Sequence, residues 1–196
     1  MNRKWLLGGV AAFLALAAVL SLVVGGVVGR SIVPSTPPPP PAPTTVRFTD
    51  TLTDVSIAYP STWQRRISKD QAVRFVASSP DESAAVSVSV RRSDLEPVTA
   101  DSLPIVRPLT DDLLQQDDRI AAVPEPEPVT IDGLPGYRYT YTYRTEDGGE
   151  GAHVHYFLFK PERLVQIVLQ VVPAERLASL QPTFDRIAAS FRDARP

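Results

Sequence analysis

The sequence predicts an α+β domain, an antiparallel β-sheet flanked by helices, preceded by one transmembrane helix. Three observations carry this. Trp5–Val28 runs 24 residues without a charge. Apolar residues then recur with period two through most of the chain after Thr44, the signature of half-buried strands. The last twenty residues switch to helical spacing: Phe184, Ile187, Ala188 and Phe191 fall at i, i+3, i+4 and i+7.

The amino-terminal segment reads as an anchor. At about 1.5 Å per residue, 24 residues cover about 36 Å, against a hydrocarbon core of about 30 Å. Arg3 and Lys4 precede the run and Arg30 closes it. The excess of positive charge at the start places the amino terminus in the cytoplasm and the following domain outside. Ala15-Leu16-Ala17 also fits a signal-peptidase pattern. Cleavage there would leave the apolar stub Ala18–Gly29, which favours an uncleaved signal anchor over residues 1–30. A lipid anchor needs a cysteine, and the chain has none. The same absence excludes disulfides, zinc–thiolate sites and a cysteine nucleophile.

Residues 31–43 form a linker. Pro34–Pro43 holds seven prolines in ten positions. Consecutive prolines adopt polyproline II at about 3.1 Å per residue, so the stalk reaches about 30 Å.

Residues 44–196 are the size of one domain. Their 17 basic and 22 acidic residues leave a charge of about −5. A net acidic domain without a basic stripe argues against a nucleic-acid partner. Within it, Val55, Ile57 and Tyr59 alternate with small or polar residues, as do Val86, Val88 and Val90. Tyr137, Tyr139, Tyr141 and Tyr143 share one side of a third strand. Glu146–Gly151 turns the chain, Ala152–Lys160 returns, and Leu164–Val172 follows the turn Lys160–Arg163. Pairing Lys160 with Arg163 sets Leu158 against Val165, Tyr156 against Ile167 and Val154 against Leu169. One face is then continuously apolar, and a one-residue slip would destroy it. The tyrosine stripe is expected to join this face as core. His153, His155, Thr142 and Arg144 are expected on the opposite, wetter one. The C-terminal helices cover the apolar side: a short one beginning at Pro173 and a second from Pro182. A further helix starts at Thr110, which can cap it, with Asp111 and Asp112 at its positive end. Ala121–Pro128 is a loop.

Tyr59-Pro-Ser-Thr-Trp63, Asp132-Gly-Leu-Pro-Gly136 and Pro182–Phe191 together resemble the PsbP-like family and the actinobacterial LpqN-type envelope proteins that share its pattern, over about residues 45–191. The resemblance implies an α/β/α sandwich with an antiparallel sheet, and activity by binding rather than catalysis. It carries over no residue-level site.

The chain contains no nucleophile elbow, no phosphate-binding glycine loop, no dinucleotide fingerprint and no H-E-x-x-H. His153-Val-His155 places two imidazoles on one side of a strand, with Glu150 nearby. A metal site normally needs three or four protein ligands, and the chain has two histidines. Polar sheet residues are therefore the preferred reading, and no catalytic, cofactor-binding or metal residue is assigned. Asp81-Glu82, Asp111-Asp112, Asp117-Asp118, Arg65-Arg66 and Arg91-Arg92 read as solvated pairs, and Trp63 as a core corner. The expected function is a membrane-tethered extracytoplasmic module that binds a protein or envelope component. The rival expectation is a hydrolase or metal-dependent enzyme using the His153/His155 face.

Overall fold

The computed structural model describes residues 44–194. The anchor expected over residues 1–30 and the linker expected over residues 31–43 lie outside them. Among the described residues, no helix is long and apolar enough to cross a membrane.

In chain order the elements are β1 (Thr45–Asp50), β2 (Val55–Pro60), β3 (Gln64–Arg65), β4 (Val73–Ser78), β5 (Ala84–Arg92), α1 (Leu103–Gln115), β6 (Glu127–Ile131), β7 (Leu134–Arg144), β8 (Glu150–Lys160), β9 (Arg163–Val171), α2 (Leu177–Ala189) and β10 (Arg192–Asp193). The fold is sheet-dominated α+β. Seven strands form an antiparallel sheet in the order β3-β4-β5-β9-β8-β7-β6, and β1-β2-β10 form a smaller one. The β8–β9 hairpin has the expected register: Lys160 faces Arg163, Leu158 faces Val165, Tyr156 faces Ile167 and Val154 faces Leu169. Glu162, at φ 61, supplies the left-handed residue of its turn.

Both faces of the large sheet are buried. On the first, Val154, Tyr156, Leu158, Val165, Ile167 and Leu169 meet Phe184, Ile187 and Phe191 of the C-terminal segment. The small sheet adds Val55, Ile57 and Tyr59 to this layer, and Trp63 joins it as the expected corner. The cover is thus a helix plus a sheet, where the sandwich expectation had helices alone. On the second face, Tyr137, Tyr139, Tyr141, Phe157 and Phe159 lie beneath Leu103 and Leu114 of α1. The chain flanking α1 packs there too, through Leu95, Val98, Ile120 and Val123.

Several expectations need correction. The tyrosines do not join the Val154 face. Arg144 pairs with Glu150, which leaves five residues in the connection. Tyr141 therefore sits opposite His153 and Tyr139 opposite His155. Tyrosines and histidines share one face, and it is dry. Thr110 is no cap: α1 begins seven residues earlier, after Ser102, and runs through Pro108. Pro108 has no N–H to donate, but the helix continues because Leu103, Thr110 and Leu114 are buried on one stripe. Likewise α2 runs through Pro182 instead of restarting there, with a 3-10 turn at Ala174–Arg176 before it. The loop expected to Pro128 ends at Glu127, where β6 begins to pair with β7.

Candidate functional site

The histidine pair sits at the centre of β8, a strand buried from Gly151 to Phe159. His153 is 3% exposed and His155 7%. Tyr141 lies between them. Its Oη is 3.2 Å from Nδ1 of His153 and 3.2 Å from Nδ1 of His155. The outer nitrogens reach glutamines of β9: His153 Nε2 is 3.2 Å from Gln170 Oε1, and His155 Nε2 is 3.1 Å from Gln166 Oε1. The result is one polar chain, Gln170–His153–Tyr141–His155–Gln166.

Proton counting sets its state. Tyr141 has one hydrogen, so it donates to one imidazole and accepts an N–H from the other. Two neutral histidines satisfy the chain when one carries its proton on Nδ1 and the other on Nε2. The glutamine facing the bare Nε2 then turns its amide N–H toward it. Burial holds both imidazoles neutral: the His153 pKa falls to about 4 and that of His155 to about 3, the latter also through the charge of its neighbour. Burial likewise pushes the Tyr141 hydroxyl up and that of Tyr143 up to about 12. The rings pack as well: His155 stacks on Phe157 at 4.1 Å between centroids, and His153 meets Tyr143 at 4.3 Å.

This chemistry is internal. Both Nδ1 lone-pair positions converge on a tyrosine hydroxyl, and both Nε2 positions on amides. Among the described residues, no three His, Cys, Asp or Glu side chains gather closely enough to hold a metal ion. The expectation of a wetter face for His153 and His155 is therefore overturned. Thr142 and Arg144 point away from them on the other side of β7. The two glutamines were the missed members. The Lys160–Arg163 register already set His153 opposite Gln170, and Gln166 and Gln170 are the polar interruptions of an otherwise apolar strand.

One member of each of two acidic pairs expected in water is structural, while Asp112 and Asp118 are exposed as expected. Asp117, 8% exposed, holds Arg119 through Oδ1 at 3.1 Å, and that guanidinium lies 5.5 Å from the Tyr143 ring centroid. Asp111 accepts the Tyr139 hydroxyl at 2.7 Å and the Arg107 Nε at 3.3 Å. Thr110, fully buried, meets the same hydroxyl at 2.6 Å. These contacts clamp α1 onto β7.

An open cleft of about 420 Å³ lies between the β6–β7 hairpin and α2. Glu127, Asp132, Arg138, Tyr156 and Asp185 line it over an apolar floor. Arg138 is held by Glu127 at 2.8 Å, which leaves Asp132 and Asp185 as the remaining charged groups of the lining.

An antiparallel seven-stranded sheet, closed on one face by a C-terminal helix with a small sheet and on the other by a proline-bearing helix, defines the class of the domain. The sequence profile of the PsbP family matches residues 44–192, and the chain belongs to that family. Among solved structures, it is similar to the cyanobacterial PsbP protein CyanoP of Synechocystis sp., at 20% identity and a TM-score of 0.57, over 87% of this chain and 98% of that one. It is also similar to Mycobacterium tuberculosis LpqN, described as involved in cell envelope biogenesis, at 10% identity and a TM-score of 0.52, over 76% and 84% of the two chains. The Saccharomyces cerevisiae Ran-binding protein Mog1p aligns at 8% identity and a TM-score of 0.53, over 78% and 96%. At these identities the likeness is one of fold. No curated protein matches the chain in sequence.

Proposed function

We propose that this protein is a membrane-tethered, extracytoplasmic binding or accessory module that acts without catalysis on a protein or cell-envelope component. The observation that carries this is the fate of its reactive groups. The imidazoles and the tyrosine stripe are sealed in the core and bonded to one another, leaving the surface to do the recognition. The PsbP-type fold neighbours fit a binding or accessory role. A Ran-binding protein on this fold favours a protein partner, and LpqN favours an envelope setting. The tether rests on the uncharged run Trp5–Val28 and on Arg3 and Lys4 before it.

Alkaline phosphatase fused after Pro196 tests the placement. The fusion should be active and the protein should stay in the membrane pellet after a carbonate wash. An inactive fusion beside an active cytoplasmic reporter overturns the export. Crosslinking in intact cells followed by affinity capture of the full chain tests the binding role: a stoichiometric crosslinked species is expected. Turnover that depends on His153 or His155 refutes it.

A further inference from the structure

The charge of −5 is unevenly placed. Residues 61–93, which carry β3, β4 and β5, hold six basic and three acidic residues. Residues 94–150, which carry α1, β6 and β7, hold thirteen acidic and four basic ones. Because β3 and β6 are the two ends of the seven-stranded sheet, and strands lie about 4.8 Å apart, the domain has a basic edge and an acidic edge about 30 Å apart.

The basic edge is the one at which the chain arrives. Thr44 O accepts the Ser61 N–H at 2.8 Å, and the Thr44 and Ser61 hydroxyls lie 2.5 Å apart. Thr44, the first described residue, is therefore held at Ser61, three residues before β3. The segment that follows is Arg65-Arg66-Ile67-Ser68-Lys69. Ile67 is 99% exposed, the most exposed large apolar side chain among the described residues. The Arg65 guanidinium lies 4.5 Å from the centroid of the Phe48 ring on β1. Val46, two residues along the same side of that strand, is 41% exposed. Arg66 is paired with Glu82. Arg65 and Lys69 are exposed, and among the described residues neither has a carboxylate within 4 Å.

An apolar tip flanked by long cations is the side-chain chemistry that seats in a lipid interface: the apolar group enters the acyl boundary and the cations stay at the headgroups. We propose that the rim Arg65–Lys69, with Val46 beside it, docks on an anionic lipid surface and lays the domain down with its acidic edge turned away. This rests on the tethered reading above. Each cation near such a surface favours docking about fivefold. Two cations and one isoleucine make a weak site alone, but a tether supplies a local concentration on the order of millimolar. A linker of the length expected from residues 31–43 would keep the rim within about 30 Å of the bilayer.

The absence of cysteine makes the test clean. Full-length protein carrying Ile67→Cys, or Ile105→Cys on α1 as reference (Ile105 is 79% exposed), is labelled with an environment-sensitive dye. It is then reconstituted into phosphatidylcholine vesicles with or without phosphatidylglycerol. The label at 67 should shift to the blue and be quenched by bilayer-embedded quenchers in the anionic vesicles alone, while the label at 105 stays in water throughout. Arg65→Gln with Lys69→Gln should lower the ratio of docked to free rim about 25-fold, two cations at about fivefold each. A label at 67 that matches the one at 105 in both vesicles overturns the proposal, as does one buried only in native envelopes, which would assign the rim to a protein. Flotation separates the two readings. Protein that floats with anionic but not neutral vesicles retains the rim and overturns the tether; protein that floats with neither overturns both.

Discussion

Acid should unfold this domain well above the carboxylate range, because of two imidazoles. In the unfolded chain each titrates at about 6.5; in the folded protein His153 takes its proton only near about 4 and His155 near about 3. Between those values the unfolded state holds the extra protons, so falling pH favours unfolding. The histidine contribution is complete above pH 6.5 and is lost progressively below it. One pKa unit corresponds to about 1.4 kcal/mol. At pH 5 each histidine then removes about 2 kcal/mol, about 4 for the pair, out of a total of about 5–15 kcal/mol for a domain. The slope between pH 6 and 4.5 should approach two protons, about 2.7 kcal/mol per pH unit. Urea unfolding followed by circular dichroism at half-unit steps from pH 7.5 to 4.5 measures it. His155→Phe, which keeps the stack on Phe157, should lower stability at pH 7.5 and halve the slope. Stability that is flat from pH 7 to 5, or imidazole NMR shifts that titrate near pH 6.5 in the folded protein, would refute the argument.

Ile167, fully buried opposite Tyr156, should not tolerate Asp: a buried unpaired carboxylate costs several kcal/mol, and the variant should aggregate or lose its near-ultraviolet circular dichroism. Gly136→Ala should be among the most damaging small changes, since the added Cβ would lie 2.0 Å from the Phe157 carbonyl oxygen; loss of soluble expression is the expected readout, and wild-type thermal stability would disprove the close approach. Phe184→Ala in α2 should cost about 3–5 kcal/mol as a buried aromatic deletion, read as a shift in the urea midpoint. Thr110→Val should cost about 1 kcal/mol, since the Tyr139 hydroxyl still donates to Asp111.

The hairpin of β8 and β9 was legible because its turn is two residues long, so the length of the connection dictates which side chains share a face. The β7–β8 connection is longer, and its length decides the same question with nothing local to reveal it. Five residues between Arg144 and Glu150 bring Tyr141 to His153; four would have brought the tyrosines to Val154 and Tyr156. Polarity misled as well. A strand carrying His153 and His155 on one side reads as half wet, yet β8 lies near the middle of the sheet with both faces covered, and Gln166, Gln170 and Tyr141 supply the partners that water would have given. The start of α1 was hidden because Thr110, followed by Asp111 and Asp112, offers a plausible cap inside the helix. Pro104 sits in the first turn, where no N–H is needed, and burial of Leu103 and Leu114 carries the helix past Pro108. The C-terminal helix was legible from Phe184 onward, where its apolar spacing is helical, but its start at Leu177, ahead of Pro182, was not.

The polar chain across β7, β8 and β9 also constrains how this sequence can vary. Its five side chains form a single unit of substitution. Replacing one by an apolar residue leaves a neighbour buried with an unmet donor or acceptor, at a cost of about 1–3 kcal/mol. Replacing all of them by apolar residues of matched volume removes that cost and the acid sensitivity together. Paths from one state to the other pass through less stable intermediates, so Gln166, Gln170, Tyr141, His153 and His155 should be kept or exchanged as a set among close relatives, while the exposed residues around them drift independently.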